Sequence, residues 1–479
     1  MKKTLLALFS IVFISNLLVS QTTFVTPIQN IDPNTGEEPY ELASGDLDND
    51  GDIDLVMATY WFTGFGTPTQ DYIKWYENDG SGNFSIPSTS IVSSTIRYVD
   101  GLTVANIDGQ FGLDIVATSA DQNKLVYYLS DGTGGFGSEV LVNTSSTLNG
   151  PGQVFAADIN NDGNIDLATV SYDDNKSVWF AGDGTGGFGP EQIIESGGTA
   201  GAFTIELDDF DGDTDKDVVI GFYNSGNIEI YYNQFIESGT STVSWIKDVV
   251  TVDTGNSFFL ATKFADVNND GILDVVKVDN STGEVEWFNK IKNGTSTSNT
   301  ISSSSIIARP GAIAIADIDG DNNNDVILTD SGTGDDAIIW FKGANNASPS
   351  ATPTLIENNN FQNFAITVDD YDADGDLDIA FLGNANDTLG WYENELDPLS
   401  VAENATTELS IYPNPTNNLL HFKTSSSDLM TVTVFDVLGK NLMSETVSHS
   451  KPLDVSRLAS GIYTLKINNN SESIKFVKE

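Results

Sequence analysis

A nine-residue acidic segment recurs seven times along this chain, and nothing else in the sequence limits its fold as strongly. Written as D-x-D-x-D-G-x-x-D followed by apolar residues, the copies begin at Asp46, Asn106, Asp158, Asp209, Asp266, Asp317 and Asp370. Successive spacings are 60, 52, 51, 57, 51 and 53 residues. An aromatic pair follows each copy: Trp75-Tyr76, Tyr127-Tyr128, Trp179-Phe180, Tyr231-Tyr232, Trp287-Phe288, Trp340-Phe341 and Trp391-Tyr392. The pair starts 21 to 23 residues after the first loop position in six copies and 29 after it in the first. Three copies add a Gly-rich turn ending in Phe, at residues 79–84, 131–136 and 183–188. Self-similarity at such a period means one supersecondary unit per repeat.

Each period divides into four short runs rich in Val, Ile and aromatic residues and bounded by Gly, Asn and Asp, which is the chemistry of strands. In the third copy the runs are 153–157, 165–171, 177–181 and 192–195. A four-stranded unit cannot bury both of its faces alone, so neighbours must stack. Stacked radially, such sheets make a β-propeller. The seventh copy stops after Trp391-Tyr392-Glu393-Asn394 with no fourth run, and a spare run, residues 23–28, precedes the first copy. One strand exchanged between the ends completes the seventh blade and closes the ring. An open solenoid would not need that complementary truncation.

The acidic loops read as hard-cation sites. Calcium takes six to eight oxygen ligands in a flexible cage. Carboxylates at positions 1, 3, 5 and 9 with the carbonyl of position 7 can surround one ion. The expected ligands are Asp46, Asp48, Asp50 and Asp54; Asp158, Asn160, Asp162 and Asp166; Asp209, Asp211, Asp213 and Asp217; Asp266, Asn268, Asp270 and Asp274; Asp317, Asp319, Asp321 and Asp325; and Asp370, Asp372, Asp374 and Asp378. That makes about six structural Ca2+ sites. Position 6 is Gly except at Thr214 and Asn322 among these six loops, and Asn tolerates a left-handed backbone better than Thr. The second copy, Asn106 to Asp114, is degenerate and predicts no ion. An EF-hand would need Glu at position 12 and flanking helices, whereas position 9 here runs straight into a strand. Zinc lacks its Cys and His ligands.

With the Gly-Phe-Gly mark, these loops resemble FG-GAP/VCBS repeats, as in the integrin α-subunit propeller. The resemblance implies calcium in the loops between the first and second strands, on one face of the ring. It also implies ligand contacts on the opposite face. A second resemblance lies in the tail. Leu409-Ser-Ile-Tyr-Pro-Asn-Pro415, Val434-Phe-Asp-Val-Leu-Gly439, Leu458-Ala-Ser-Gly-Ile-Tyr463 and Ile474-Lys-Phe-Val-Lys478 look like the C-terminal sorting domain of the type IX secretion system of Bacteroidetes. It implies a small Ig-like β-sandwich, handling by the type IX machinery, and release or surface attachment outside the cell. Alternating runs at 431–437 and 462–467 agree with a sandwich.

Charge supports the division. The chain has 69 acidic and 21 basic residues and a formal net charge of -48. From Val401 onward acids and bases nearly balance, 8 against 7, whereas residues 21–400 hold 61 acids and 12 bases. The expected organisation is a signal peptide at 1–20 (Lys2, Lys3, then an apolar stretch), a propeller at 21–397, a linker at 398–408 and a sorting domain at 409–479. The fold class is therefore all-β: a seven-bladed β-propeller followed by a small Ig-like β-sandwich. The apolar stretch is short for a bilayer span, so no membrane span is expected in the mature protein. Such acidity repels nucleic acid. Without any cysteine there is no disulfide framework.

Function is less legible. The first copy carries an insertion, residues 60–72, whose Trp61 and Phe65 could stack on sugar rings or grip a protein. Arg97 and Arg309 are the only arginines in the propeller, and both fall in expected connections on the ligand face, where they could hold carboxylate or sulfate groups. A propeller lyase or hydrolase is the competing class. Both histidines, His421 and His449, lie in the sorting domain, and no nucleophile motif or P-loop occurs, so no catalytic residue is singled out. The sequence thus favours a binding or adhesion module for glycan or extracellular protein, exported through the periplasm and then secreted or held at the outer surface.

Overall fold

The protein is described by a computed structural model covering residues 24, 29–36, 38–60, 73–87, 91, 96–144, 148–197, 201–239, 242–251, 259–289, 296–303, 306–330, 337–358, 363–396, 410–423, 430–436, 440–447, 451–468 and 473–479. The chain divides after Asp397 into two compact units. Among the described residues no helix is long and apolar enough to cross a membrane.

The first unit consists of seven antiparallel sheets; six run outward in chain order from an inner strand A, and the seventh ends on a strand from the N-terminal segment. The A strands are Pro39–Gly45, Gly101–Ala105, Pro151–Ala157, Ala202–Asp208, Phe259–Ala265, Pro310–Ala316 and Asn363–Asp369. Each packs beside the next, and the last returns to the first, so the sheets form a closed seven-bladed ring. The B strands are Asp54–Thr59, Asp114–Ser119, Asp166–Ser171, Asp217–Phe222, Asp274–Asp279, Asp325–Asp330 and Asp378–Gly383. Every residue of every B strand is buried. These strands are mostly apolar because neighbouring blades cover both of their faces.

The C strands are Ile73–Tyr76, Lys124–Tyr128, Lys176–Phe180, Asn227–Asn233, Glu284–Asn289, Ala337–Phe341 and Thr388–Tyr392. In six blades, loop position 10 pairs with the second residue of the aromatic pair, as Leu55 does with Tyr76 and Ile379 with Tyr392. Blade 4 differs: Val218 pairs with Tyr231, so its matching pair is Ile230-Tyr231 and Tyr232 lies one place beyond.

The Gly-rich turns reach the preceding blade. Phe84 packs edge-on to Trp391, and Phe136 edge-on to Trp75. A Cβ on Gly82 or Gly134 would fall 2.3 Å from those tryptophan rings, so only glycine fits. Side-chain amides add cross-blade links, from Asn78 Nδ2 to the Tyr371 carbonyl at 2.7 Å and from Asn394 Nδ2 to the Ile318 carbonyl at 2.9 Å.

Closure uses the N-terminal segment, and of the expected run at 23–28 only Phe24 lies within the described residues. The strand that completes blade 7 is Gln29–Asp32, antiparallel to Thr388–Tyr392, and Phe24 bridges Asn394. Asp32, 4% exposed, then accepts the Tyr76 hydroxyl at 2.9 Å and faces the Lys74 ammonium at 3.5 Å. The same segment therefore joins blade 7 to blade 1.

The second unit is a two-sheet sandwich. Ser410–Tyr412, Leu419–Lys423 and Leu453–Asp454 form one sheet; Asn441–Val447, Met430–Phe435, Gly461–Asn468 and Ser473–Lys478 form the other. Leu420, Phe422, Val432, Val434, Leu465 and Phe476 fill its core. His421 and His449 belong to this unit; His421 stacks on Tyr412 at 5.4 Å, and His449 lies outside the described residues.

Candidate functional site

The acidic loops join strand A to strand B at one end of every blade. In six blades the position 1 carboxylate folds the loop around itself. Asp46 accepts the N–H groups of Asp50 and Gly51 at 3.1 Å each, and Asp370 those of Asp374 at 3.1 Å and Gly375 at 3.0 Å. The chain must turn left-handed at position 6, where φ is 100° at Gly51 and Gly375, 83° at Thr214 and 65° at Asn322. For Thr214 that is strained backbone. Carboxylate oxygens come within 4.8 Å of one another in Asp46/Asp48/Asp50, Asp209/Asp211/Asp217, Asp317/Asp319/Asp325 and Asp370/Asp372/Asp374. These groups could hold a metal ion. Blades 3 and 5 have Asn160 and Asn268 at position 3. The Oδ1 atoms of Asp48 and Asn268 are buried without a hydrogen-bond donor among the described residues. A buried acceptor lacking a donor is costly in water-free surroundings but suits a cation.

Position 9 does something the sequence did not reveal. Its carboxylate is fully buried in all seven blades, and its Oδ2 accepts the N–H of position 2 at 2.9 to 3.3 Å. In six blades its Oδ1 also accepts an N–H at the end of strand C or just beyond it, at 2.6 to 2.8 Å. The aspartate thus buckles the A–B loop to the end of strand C, and Asp114 does so even in the degenerate second repeat. Burial pushes these carboxyls up, to about 6 in Asp166, about 7 in Asp54, Asp274 and Asp325, and about 8 in Asp217 and Asp378.

At the other end of the ring, the B–C loops and the approaches to strand A enclose a cavity of about 740 Å³. Its wall carries the rings of Tyr60, Tyr98, Tyr172, Phe203 and Tyr223 and the carboxylates of Asp100, Asp121 and Asp173. Three of the tyrosines share one register position, the residue after strand B in blades 1, 3 and 4. There the backbone N–H bonds to the carbonyl of Glu38, Gly150 or Gly201 at 2.8 to 2.9 Å, which fixes where each ring starts. Ala120 stands at that position in blade 2, and the ring in that sector is Tyr98, at φ 51°. Tyr60 meets Tyr98 edge-on at 5.4 Å; Tyr223 contacts Phe203 at 5.3 Å and Tyr172 at 6.3 Å.

Asp100 and Phe203 also line a second cavity, of about 270 Å³, between the A strands of all seven blades. Glu41, Glu206 and Lys263 face that axial space, with Lys263 paired to Glu206. Burial, then the charge of Asp100, pushes Glu41 up to about 8, and burial lifts Asp100 to about 7.

Of the residues singled out by sequence for ligand contact, Trp61 and Phe65 lie outside the described residues. Arg97 is exposed beside the aromatic cavity and pairs with Asp121 at 3.1 Å. Arg309 is exposed before strand A of blade 6, with its backbone N–H 3.2 Å from Asp330 Oδ1, and does not line the cavity. Sequence reasoning missed Tyr98, Tyr172, Phe203 and Tyr223. The usable signal was a tyrosine directly after strand B in three repeats.

Comparison with known proteins agrees with this architecture. Residues 112–169, 158–220, 209–276 and 266–328 match the FG-GAP-like repeat, and residues 410–479 match the secretion system C-terminal sorting domain. A search of curated proteins finds no match. Among solved structures, the BP39L lectin of Burkholderia pseudomallei is similar at 15% identity and a TM-score of 0.52, over 75% of this chain and 99% of that one. An Agrocybe aegerita lectin that recognises non-reducing terminal N-acetylglucosamine shares 16% identity over 67% of this chain and 81% of its own, with a TM-score of 0.47. The periplasmic gluconolactonase of Pseudomonas aeruginosa shares 12% over 67% and 89%, with a TM-score of 0.46. At such identities the likeness concerns the fold alone.

Proposed function

We propose that this chain, a propeller of FG-GAP-like repeats exported by the type IX system to the cell surface or beyond, is a calcium-stabilised module that binds glycan outside the cell. The observation that carries the reading is the cavity at the B–C end of the ring. Flat tyrosine rings suit the C–H faces of sugars, and carboxylates accept two hydroxyl hydrogen bonds at once. Arg97 is engaged by Asp121, so the charges that remain on the wall are carboxylates. They favour an uncharged or amine-bearing sugar over an acidic one. The acidic loops at the opposite end offer all-oxygen donor sets, which fit Ca2+. Held there, an ion would offset clustered carboxylates and tie strand A to strand B in a chain without disulfides.

The test is affinity electrophoresis of the secreted protein, with calcium, through gels containing neutral, amine-bearing or acidic polysaccharide. Retardation by a neutral or amine-bearing polymer, lost in Tyr172→Ala and Tyr223→Ala, is the expected result. Retardation by acidic polymer alone overturns the ligand class, and no retardation in any gel overturns glycan binding. Zones of shortened polymer would make the protein a hydrolase, with Glu41 and Asp100 the first carboxyl groups to examine.

A further inference from the structure

The acidic loops differ from one another at a position outside the nine-residue repeat. The residue that follows the register-matched pair of strand C is Glu77 in blade 1, Lys342 in blade 6 and Glu393 in blade 7. In blades 2 to 5 it is Leu129, Ala181, Tyr232 and Asn289, none of them charged. Charge at this place is therefore confined to three adjacent blades of the ring.

Lys342 reaches into the loop of its own blade. Its ammonium contacts Asp319 and lies 2.8 Å from Asp321, loop positions 3 and 5. Asp319 is 3% exposed, and its other oxygen accepts the Asp321 N–H at 3.3 Å, so both of its oxygens are engaged. Blades 1 and 5 provide the contrast, because the position 3 oxygens Asp48 Oδ1 and Asn268 Oδ1 are buried with no donor among the described residues. A divalent ion needing six or more oxygens could enter the blade 6 loop only by expelling the lysine from two carboxylates. Glu77 and Glu393 act in the opposite sense. Each places a carboxylate, in blades 1 and 7, at the register position that Lys342 holds in blade 6.

We infer that this flanking residue decides what cation each loop carries: Lys342 supplies its own ammonium to blade 6 in place of a metal ion, whereas Glu77 and Glu393 add a carboxylate to the sites of blades 1 and 7. Blade 6 then carries a built-in counter-charge, and blades 1 and 7 depend most on calcium. This inference does not rest on the glycan reading, and no sugar enters its test.

The secreted protein is stripped with chelator, re-equilibrated with calcium, and its bound metal counted by elemental analysis and calorimetric titration. Lys342→Met and Lys342→Glu should each bind one more equivalent than the parent, and Lys342→Arg the same number as the parent. Glu77→Gln and Glu393→Gln should keep the count and weaken one site each by roughly tenfold, since carboxylate number tunes affinity in such loops. In chelator, Lys342→Met should melt below the parent because blade 6 has lost its counter-charge. If Lys342→Glu is not recovered folded, Lys342→Met carries the count. Equal metal content in the parent and the Met and Glu variants overturns the inference, as does an unchanged melt of Lys342→Met in chelator.

Discussion

Replacing Asp378 by alanine separates two roles that position 9 could have, buckle and metal ligand. The side chain is fully buried, with Oδ2 3.0 Å from the Tyr371 N–H and Oδ1 2.8 Å from the Asn394 N–H. Alanine removes both acceptors and leaves two buried donors without partners. A buried orphan costs about 1–3 kcal/mol, so the pair costs about 2–6 kcal/mol, against ~1 kcal/mol for an average substitution. Relief of the buried carboxyl lowers that toward ~2–5 kcal/mol, because the native site already disfavours its charge. The assay is thermal unfolding with calcium and again with excess chelator. A buckle predicts a fall of several degrees in both conditions. Asp370→Asn is the control, since its bonds go to exposed loop N–H groups that water can satisfy; its effect should largely vanish in chelator. If Asp378→Ala melts with the parent protein in chelator, the aspartate serves only a metal and the buckle argument fails.

Four further outcomes are expected of the same structure. Tyr172→Ala should weaken sugar binding about 5- to 30-fold by calorimetry: a ring face covering on the order of 50–100 Å² is worth ~1–2 kcal/mol. Glu41→Gln should stabilise the protein selectively at alkaline pH. Its folded value of about 8 lies above the ordinary carboxyl value, so its contribution is complete at low pH and lost as pH rises through about 8, while the amide keeps the neutral form; melting curves at pH 5 and 9 check this. Thr214→Asn should raise the melting temperature slightly, by relieving ~1 kcal/mol of left-handed strain at a β-branched residue. Asp32→Ala should lower it and speed cleavage of the N-terminal segment by protease, since it removes the acceptor of the Tyr76 hydroxyl and the carboxylate facing Lys74 at the junction of blades 7 and 1.

The period, the strands and the closing exchange were legible in the sequence because the acidic loop fixes where strand A ends and strand B begins. In the third repeat the expected runs differ from Pro151–Ala157, Asp166–Ser171, Lys176–Phe180 and Gln192–Ser196 by at most two residues at either end. The closing exchange was expected at residues 23–28, of which the described Phe24 bridges Asn394; that the pairing also takes in Gln29–Asp32 was not legible, because those residues are mostly polar. That short strand is held by pairing with blade 7 and by the polar links of Asp32, which periodicity cannot show. The dual bonding of position 9 was hidden for a related reason. Asp at one end of an acidic run looks like one more ligand until its burial and its two N–H partners are known.

Within a repeat, what the scaffold requires must recur, so positions that break the repeat mark what is particular to one blade. Position 9 is Asp in all seven copies, the degenerate second included, and it is the position whose loss would leave backbone groups buried without partners. The residue after strand B obeys no such need. Its backbone N–H bonds alike whether the side chain is Tyr60, Ala120, Tyr172 or Tyr223, so the fold leaves the side chain unconstrained. Three tyrosines in four consecutive blades, gathered around one cavity with Tyr98 and Phe203, are therefore not explained by the demands of the propeller. The residue after the strand C pair likewise bonds through its backbone carbonyl alike whether the side chain is Glu77, Leu129, Ala181 or Lys342, and it is charged only in blades 1, 6 and 7. The two departures lie at opposite ends of the blades. Their effects should therefore separate, with substitutions at Tyr172 changing sugar affinity but not calcium content, and substitutions at Lys342 changing calcium content but not sugar affinity.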